Sequence, residues 1–390
     1  MDFVFSDKVK DMKPSAIREI FKSLSDPSVI SFAAGNPSPL SFPVEKMHAI
    51  ADEIFKNEAS VAFQYGITEG YPRLREQIKS RLHNKFNTGT DDDDVIITTG
   101  GQQGIDLCAK VLCNEGDTII CENPSFIGAL NAFRSYNTNL VGIDLEDDGM
   151  NIEALESALK ANPNTKIIYV IPTFQNPAGI TTSLEKRKAV LDLAEKYNVL
   201  ILEDNPYGEL RFAGEDVPTI KSLDTNGRVL YCSSFSKILS AGMRIGFVCG
   251  PKDLVQKIVV VKQVNDVHTN QFFQMVASKF IDTYGLDEHI EFIRGLYRDK
   301  CNLMLSMLDE YVGDKAKYTR PEGGLFIWLT VDGGNGDEIA KKAIENKLAV
   351  VTGSSFNPIQ GGFSPSVRLN YSTPSDEQII EGVKRLAKIL

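Results

Sequence analysis

The stretch "DVIITTGGQQGIDLCAKVLC", Asp94 to Cys113, runs from a β-branched apolar segment through two glycines into an amphipathic helical period. An apolar strand that feeds a helix through a tight turn is the unit of an α/β fold. The rhythm continues as "DTIICE" (strand), "SFIGALNAFRSY" (helix), "NLVGIDL" and "KIIYVIP" (strands), "SLEKRKAVLDLAEKYN" (helix), "VLILED", "VLYCSS" and "IGFVCG" (strands). Short, continuous apolar runs alternating with helices predict a mostly parallel, mixed sheet sandwiched by helices.

Outside residues 94–250 the texture changes. The last hundred residues mix charged helical periods ("DEHIEFIRGLYRDKCNLMLSMLDEYV", "GDEIAKKAIENK", "SDEQIIEGVKRLAKIL") with the strands "GLFIWLTV" and "SVRLNYS". The expected fold class is therefore α/β, with a large domain over 44–292. A smaller α+β domain is built from both chain ends, 1–43 and 293–390.

Composition narrows the function. The 390 residues carry 42 Lys+Arg against 52 Asp+Glu, a net charge of −10, with 42% hydrophobic and 24% charged residues. That balance, with no basic run, argues against a nucleic-acid partner. No apolar run is long enough to span a bilayer. The start, "MDFVFSDKVKDMKPSAIREIF", lacks the pattern of a secretory leader, so the expected location is cytoplasmic. Six cysteines (Cys108, Cys113, Cys121, Cys232, Cys249, Cys301) stand singly and four histidines (His48, His83, His268, His289) lie far apart, so no metal site is expected.

In open α/β sheets, ligands bind beyond the carboxyl ends of the strands, and the unusual polar clusters all fall there. "TTGGQQG" (Thr98–Gly104) could cradle an anion on backbone N–H groups, or could be an ordinary glycine turn. "EDNPYG" ends a strand with Asp204 and places Tyr207 three residues on; an aspartate there can hold a cationic ring nitrogen or simply form a turn. "TFQNPAG" supplies the amide of Asn176. "SSFSKILSAGMRIG" (Ser233–Gly246) sets Lys237 among Ser234 and Ser236, with Arg244 seven residues on. An amine beside a guanidinium in a partly desolvated pocket has a depressed pKa and is nucleophilic toward an aldehyde, while hydroxyls and a guanidinium fork suit a phosphate. Ala241, Gly242 and Gly246 allow close backbone approach there. Arg368, inside an apolar strand, needs a counter-charge: a substrate carboxylate or a structural acid.

Taken together, in this order and spacing, the chain resembles a fold-type I pyridoxal-phosphate enzyme of the class I/II aminotransferase family. The resemblance spans nearly the whole length, through "FAAGNP" (Phe32–Pro37), "QYGITEGYPRLR" (Gln64–Arg75), "TTGGQQG", "NPAG", "DNPY", "SSFSK" with Arg244, "EGGLFIW" (Glu322–Trp328) and Arg368. "PSAIRE" (Pro14–Glu19) followed by "ISFAAGNP" is most similar to the 2-aminoadipate and kynurenine aminotransferase branch.

The resemblance implies that Lys237 is covalently tied to pyridoxal phosphate and shuttles the substrate proton. It implies that Asp204 keeps the ring nitrogen protonated and that Tyr207 and Asn176 bond the ring's phenolic oxygen. Gly101, Gln102, Ser234, Ser236 and Arg244 would hold the phosphate, and Phe126 would stack on the ring. Tyr65 would reach the phosphate of a neighbouring subunit, which implies a homodimer with shared active sites. Gly35, Asn176 and Arg368 would receive the substrate α-carboxylate; Arg18 would meet a distal carboxylate or swing away for apolar side chains, or is a surface helix residue paired with Glu19 or Asp26. Two positions depart from many relatives, which carry a hydroxyl residue at Gly101 and a tyrosine or tryptophan at Phe126.

The implied reaction moves the α-amino group of an L-amino acid to a 2-oxo acid, 2-oxoglutarate being the expected acceptor, in ping-pong fashion. Two rivals remain: another pyridoxal-phosphate reaction on the same fold, such as β-elimination from a cysteine S-conjugate or decarboxylation, and a non-enzymatic ligand-sensing domain of the kind fused to winged helices. The lead of about thirty residues before "SFAAGNP" and the acidic charge weigh against the second.

Overall fold

A computed structural model of the protein describes residues 3–10 and 26–390; Arg18 and the "PSAIRE" segment lie outside them. Fourteen strands are numbered along the described chain. They are β1 Ile30–Ser31, β2 Asp93–Thr99, β3 Thr118–Asn123, β4 Asn139–Glu146, β5 Gly149–Met150, β6 Thr165–Val170 and β7 Leu200–Asp204, then β8 Val229–Ser234, β9 Ile245–Pro251, β10 Lys317–Tyr318, β11 Phe326–Thr330, β12 Leu348–Ala349, β13 Val351–Thr352 and β14 Ser366–Asn370.

Eight of them form one sheet in the order β2-β9-β8-β7-β6-β3-β4-β5. The pairings β8/β7, β7/β6, β6/β3 and β3/β4 are parallel, whereas β9 runs against both β8 and β2. The sheet is therefore mostly parallel and mixed, as the apolar runs predict.

Alternate residues of each strand face opposite ways, so both faces must be covered. Ile119, Ile167, Leu202 and Leu230 pack on one side with Ile105 and Leu107 of the helix Gly100–Leu112 and Ile258 of the helix Lys252–Gln263. Ile120, Ile168, Ile201 and Val229 face the other side, against Leu155 and Leu159 of the helix Ile152–Ala161 and Val190 and Ala194 of the helix Leu184–Tyr197. Each fully buried aliphatic side chain contributes about 1.5–3 kcal/mol, which is why these runs need no alternation in the sequence.

The helix takes in the two glycines that follow β2 and begins at Gly100. The reason is a local one: Gly100 takes φ +72° at the end of β2, and Gln103 folds back to accept the Thr99 N–H at 2.8 Å.

A second, antiparallel sheet has the order β10-β11-β14-β13. Three helices accompany it, Leu286–Tyr311, Gly336–Glu345 and Asp376–Ile389, the last opened by a capping box between Ser375 and Gln378. β1 pairs with β12, which joins the start of the described chain to its far end. The division expected between residues 292 and 293 falls inside the continuous helix Leu286–Tyr311.

Reversal of β9 decides where Arg244 sits. A strand antiparallel to its neighbours presents its amino end where theirs present carboxyl ends, so the residue just before Ile245 joins the rim formed by Thr99, Asp204 and Ser234. The register sets Gly246 opposite Thr98. A Cβ on Gly246 would lie 2.5 Å from the Gly100 carbonyl carbon and 2.6 Å from the Gly101 nitrogen, whereas one on Gly242 would meet only Ser240 Oγ at 3.9 Å. Close approach is thus a requirement at 246 and not at 242. Gly246→Ala should destabilise the fold by about 1–3 kcal/mol, and Gly242→Ala by less than about 0.5, in chemical denaturation.

Candidate active site

Six strand ends meet around a cavity of about 480 Å³, and the loop after β1 and the strand β14 close it from the side of the second sheet. Twelve of the fourteen residues expected at the site line it: Gly35, Gly101, Gln102, Phe126, Asn176, Asp204, Tyr207, Ser234, Ser236, Lys237, Arg244 and Arg368. Tyr65 does not; it is 81% exposed, its ring edge-on to His268 at 5.8 Å. Arg18 lies outside the described residues. Asn36, Ile105, Ile171, Pro206, Ala241 and Phe326 complete the lining.

Lys237 stands in the turn that follows β8, and its Nζ donates to Gly35 O at 2.6 Å. Burial, then the charges of Arg368 and Arg244, lower its ammonium to about 8. Such an amine has a neutral fraction near pH 7 far larger than an ordinary lysine's, as a nucleophile and proton carrier needs.

Asp204 ends β7, almost wholly buried, with Oδ2 accepting from Tyr169 Oη at 2.7 Å. Burial raises its carboxyl to about 7, against which the Tyr169 hydrogen bond acts. A cationic partner would reverse that shift. Glu122, at the end of β3, is likewise raised by burial to about 7, with the charge of Asp204 adding to the effect. It accepts from Ile171 N at 3.2 Å and from Gln175 Nε2 at 3.0 Å, so it fixes the loop that carries Asn176.

Arg368 is 2% exposed in β14, between the rings of Phe326 and Phe356 at 4.2 and 4.9 Å. Nη1 donates to Asn176 Oδ1 at 2.9 Å and Nη2 to Ala33 O at 2.8 Å; Nε is buried with no partner. No carboxylate pairs with it among the described residues. Desolvation therefore lowers it to about 10, and a salt bridge to a structural acid is not what holds it. Asn176 Nδ2 also donates to Tyr207 Oη at 3.4 Å.

At the other end, Ser234 Oγ donates to Ser236 Oγ at 2.7 Å, and Arg244 Nη1 reaches Ser236 Oγ at 3.4 Å and Ala241 O at 3.1 Å. Arg244 takes a left-handed backbone at φ +54°, a conformation that costs a non-glycine residue about 1–3 kcal/mol and recurs at functional sites. Gln102 turns its amide onto Gly128 O at 2.8 Å. A Cβ at Gly101 would find only ordinary contacts, the nearest Cys232 Sγ at 3.7 Å, so no steric demand enforces glycine there.

The cavity thus carries an amine of lowered pKa, a buried acid without a cationic partner, a buried guanidinium with a free N–H, and a cluster of hydroxyls and guanidinium at its far end. Pyridoxal phosphate fits this donor set: an aldehyde for the amine, a pyridine nitrogen for the acid, and a phosphate for the far end.

Comparison with known proteins gives the same answer. The family described as "Aminotransferase class I and II" matches residues 27–386. The chain belongs to that family. It is 40% identical over 391 residues to "Aromatic-amino-acid aminotransferase 1" of Thermococcus litoralis, covering 99% of this chain and 94% of the relative. It is 36% identical to the "2-aminoadipate transaminase" of Thermus thermophilus, covering 97% and 94%. The crystal structure of Pyrococcus horikoshii kynurenine aminotransferase, in complex with PMP, superposes with a TM-score of 0.95 at 39% identity, covering 99% and 96%. This aminotransferase is a pyridoxal-phosphate-dependent enzyme that moves amino groups between amino acids and oxo acids.

Tyr169 and Glu122 escape a reading by motif, since one sits inside the apolar run "KIIYVIP" and the other ends "DTIICE". The only signal is polarity at a strand position whose neighbours are aliphatic.

Asp204 gives a pH test. A carboxyl raised in the fold from its ordinary 3.8 to about 7 keeps its proton there after the unfolded chain has lost it, so stability falls as pH rises across that window. In the cofactor-free protein, Asp204→Asn should therefore be more stable than the parent at pH 8, by on the order of 4 kcal/mol at most. The gap should close toward pH 4. Denaturant midpoints of both proteins at the two pH values read it directly.

Proposed function

We propose that the cavity binds pyridoxal phosphate with Lys237 at the aldehyde, Asp204 at the ring nitrogen and Arg244, Ser234, Ser236, Gly101 and Gln102 at the phosphate. The observation that carries this is the joint placement of Lys237 and Asp204, both with burial-shifted pKa values, on one wall system. When bound, the cofactor supplies an aldehyde for the substrate nitrogen and a ring that accepts the electrons left at Cα. Arg368 and Asn176 hold the α-carboxylate, with Gly35 beside them. Nζ of Lys237 removes the α-hydrogen as a proton and returns it, and its depressed pKa suits that exchange near neutral pH. Tyr207 and Asn176 donate hydrogen bonds to the ring oxygen, and Phe126 covers the ring face. One arginine receives both the amino acid and the oxo acid, so the two half-reactions occupy the pocket in turn.

The donors proposed are L-amino acids with aromatic or long acidic side chains, with 2-oxoglutarate as acceptor. The support is the character of the relatives, named for aromatic amino acids, 2-aminoadipate and kynurenine, and an apolar lining of Phe126, Phe326, Ile105 and Ile171. Lys237→Ala should lose turnover at least 10³-fold, on the scale of removing a proton-transfer group. It should also lose the visible absorbance of the covalently held cofactor. A donor panel with 2-oxoglutarate, followed by glutamate formation, reads the side-chain preference. Ammonia and pyruvate released without an oxo acid would indicate elimination instead.

The active form proposed is a homodimer with shared sites. An exposed apolar face supports it: Phe55, Val61, Phe63, Tyr65, Ile67, Val264 and Val267 are 47–81% exposed, and Phe55 stacks on Phe63 at 5.9 Å. Faces of this kind mark protein interfaces. In the homodimer Tyr65 reaches the partner's phosphate. The unit 44–292 carries the cofactor, and the ends, 1–43 and 293–390, supply Gly35 and Arg368. A cytosolic location is proposed on the six cysteines, none of them in a disulfide. Phe63→Glu should shift the protein from dimer to monomer in light scattering and weaken catalysis with it.

A further inference from the structure

Lys262 lies in the helix Lys252–Gln263 with no solvent exposure, and no role in the reaction described above accounts for a buried ammonium there. Its Nζ donates to Asp266 Oδ1 at 2.6 Å, to Gln103 Oε1 at 2.9 Å and to Thr269 Oγ1 at 3.1 Å. Each partner leads to one residue. Gln103 Oε1 also accepts the Thr99 N–H at 2.8 Å, the Thr99 hydroxyl donates to Asp266 Oδ2 at 2.8 Å, and Thr269 Oγ1 lies 3.1 Å from the same hydroxyl. Gln103 Nε2 closes the ring by donating to Asp266 Oδ2 at 2.8 Å.

Thr99 is the last residue of β2 and precedes the Gly100–Gly101 turn; its carbonyl accepts from Arg244 Nη2 at 3.5 Å. Its N–H and hydroxyl are both committed to the network. A residue so held cannot rotate without breaking hydrogen bonds to the very groups that satisfy the buried Lys262 ammonium, a charge costly to leave unpartnered.

We propose that Lys262 is a positioning residue for cofactor binding: through Gln103, Asp266 and Thr269 it locks Thr99, and so sets the backbone of the turn that receives the phosphate. This rests on the phosphate assignment given above, and it adds a residue that touches neither cofactor nor substrate. The geometry gives a selective prediction. A loosened turn weakens binding of a ligand bearing the phosphate and spares one without it.

The test titrates the full-length, cofactor-free chain with pyridoxal phosphate and, separately, with pyridoxal, following absorbance. Lys262→Met should bind pyridoxal phosphate at least ten-fold more weakly and pyridoxal within two-fold of the parent. Unchanged affinity for pyridoxal phosphate overturns the proposal, and so does a parallel loss for both ligands, which is what general loosening of the fold would give. If Lys262→Met does not fold, Thr99→Val and Thr99→Ser carry the test. The first should show the selective loss and the second, which keeps the hydroxyl, should not; identical behaviour overturns the proposal. Arg244→Gln serves as the control on the underlying assignment. Equal loss of both ligands in that variant overturns the phosphate assignment itself, independently of what Lys262 does.

Discussion

Removal of three charged groups from water around one cavity is the constraint to which the rest of the chain conforms. Lys237, Asp204 and Arg368 are each desolvated without an opposite charge among the described residues, and each is shifted toward its neutral form by burial. A fold that only sought stability would not place them so. They are tolerated because neutral partners orient them: Gly35 O for the amine, the Tyr169 hydroxyl for the acid, Asn176 and Ala33 O between two rings for the guanidinium. Electrostatic groups fixed in advance, in a place where water cannot screen them, are what an enzyme needs at the moment charge moves.

The sheet provides the fixing. Parallel strands deliver Asp204, Asn176 and Lys237 to one rim, and the reversal at β9 brings Arg244 to the same rim. Gly246 permits that strand to lie against the glycine turn. Arg368 and Gly35 come from the other side, through β14 and the loop after β1. The pocket is thus a seam between two sheets.

Much of this was legible in the residues. The apolar runs gave away the large sheet, since strands covered on both faces need no alternation, and polar clusters at their ends marked the rim. Lys237, Asp204, Arg244 and Arg368 each allow an ordinary reading taken singly, and it is their joint order and spacing that carries the resemblance. Tyr169, Glu122 and Lys262 were not legible. Each occupies an ordinary place in a strand or helix, and only the fold shows which way its polar atom points. Tyr65 is a different case: its expected ligand belongs to another copy of the chain, so one chain shows it only as an exposed ring. The helix Leu286–Tyr311 runs unbroken across residue 293, so charge and apolar texture alone carry no mark of a division there.

The rigid seat of Arg368 has a stereochemical consequence. Its guanidinium is pinned at two nitrogens and sandwiched by Phe326 and Phe356, so a carboxylate received there, as proposed, would have one place to dock. The substrate nitrogen has another, on the side of Lys237. Two anchored substituents leave hydrogen and side chain to divide the remaining directions, and mirror-image amino acids divide them oppositely. Under the proposed assignment only one hand would turn its α-hydrogen toward Lys237, so the choice of enantiomer would be written in the spacing between an arginine and an amine.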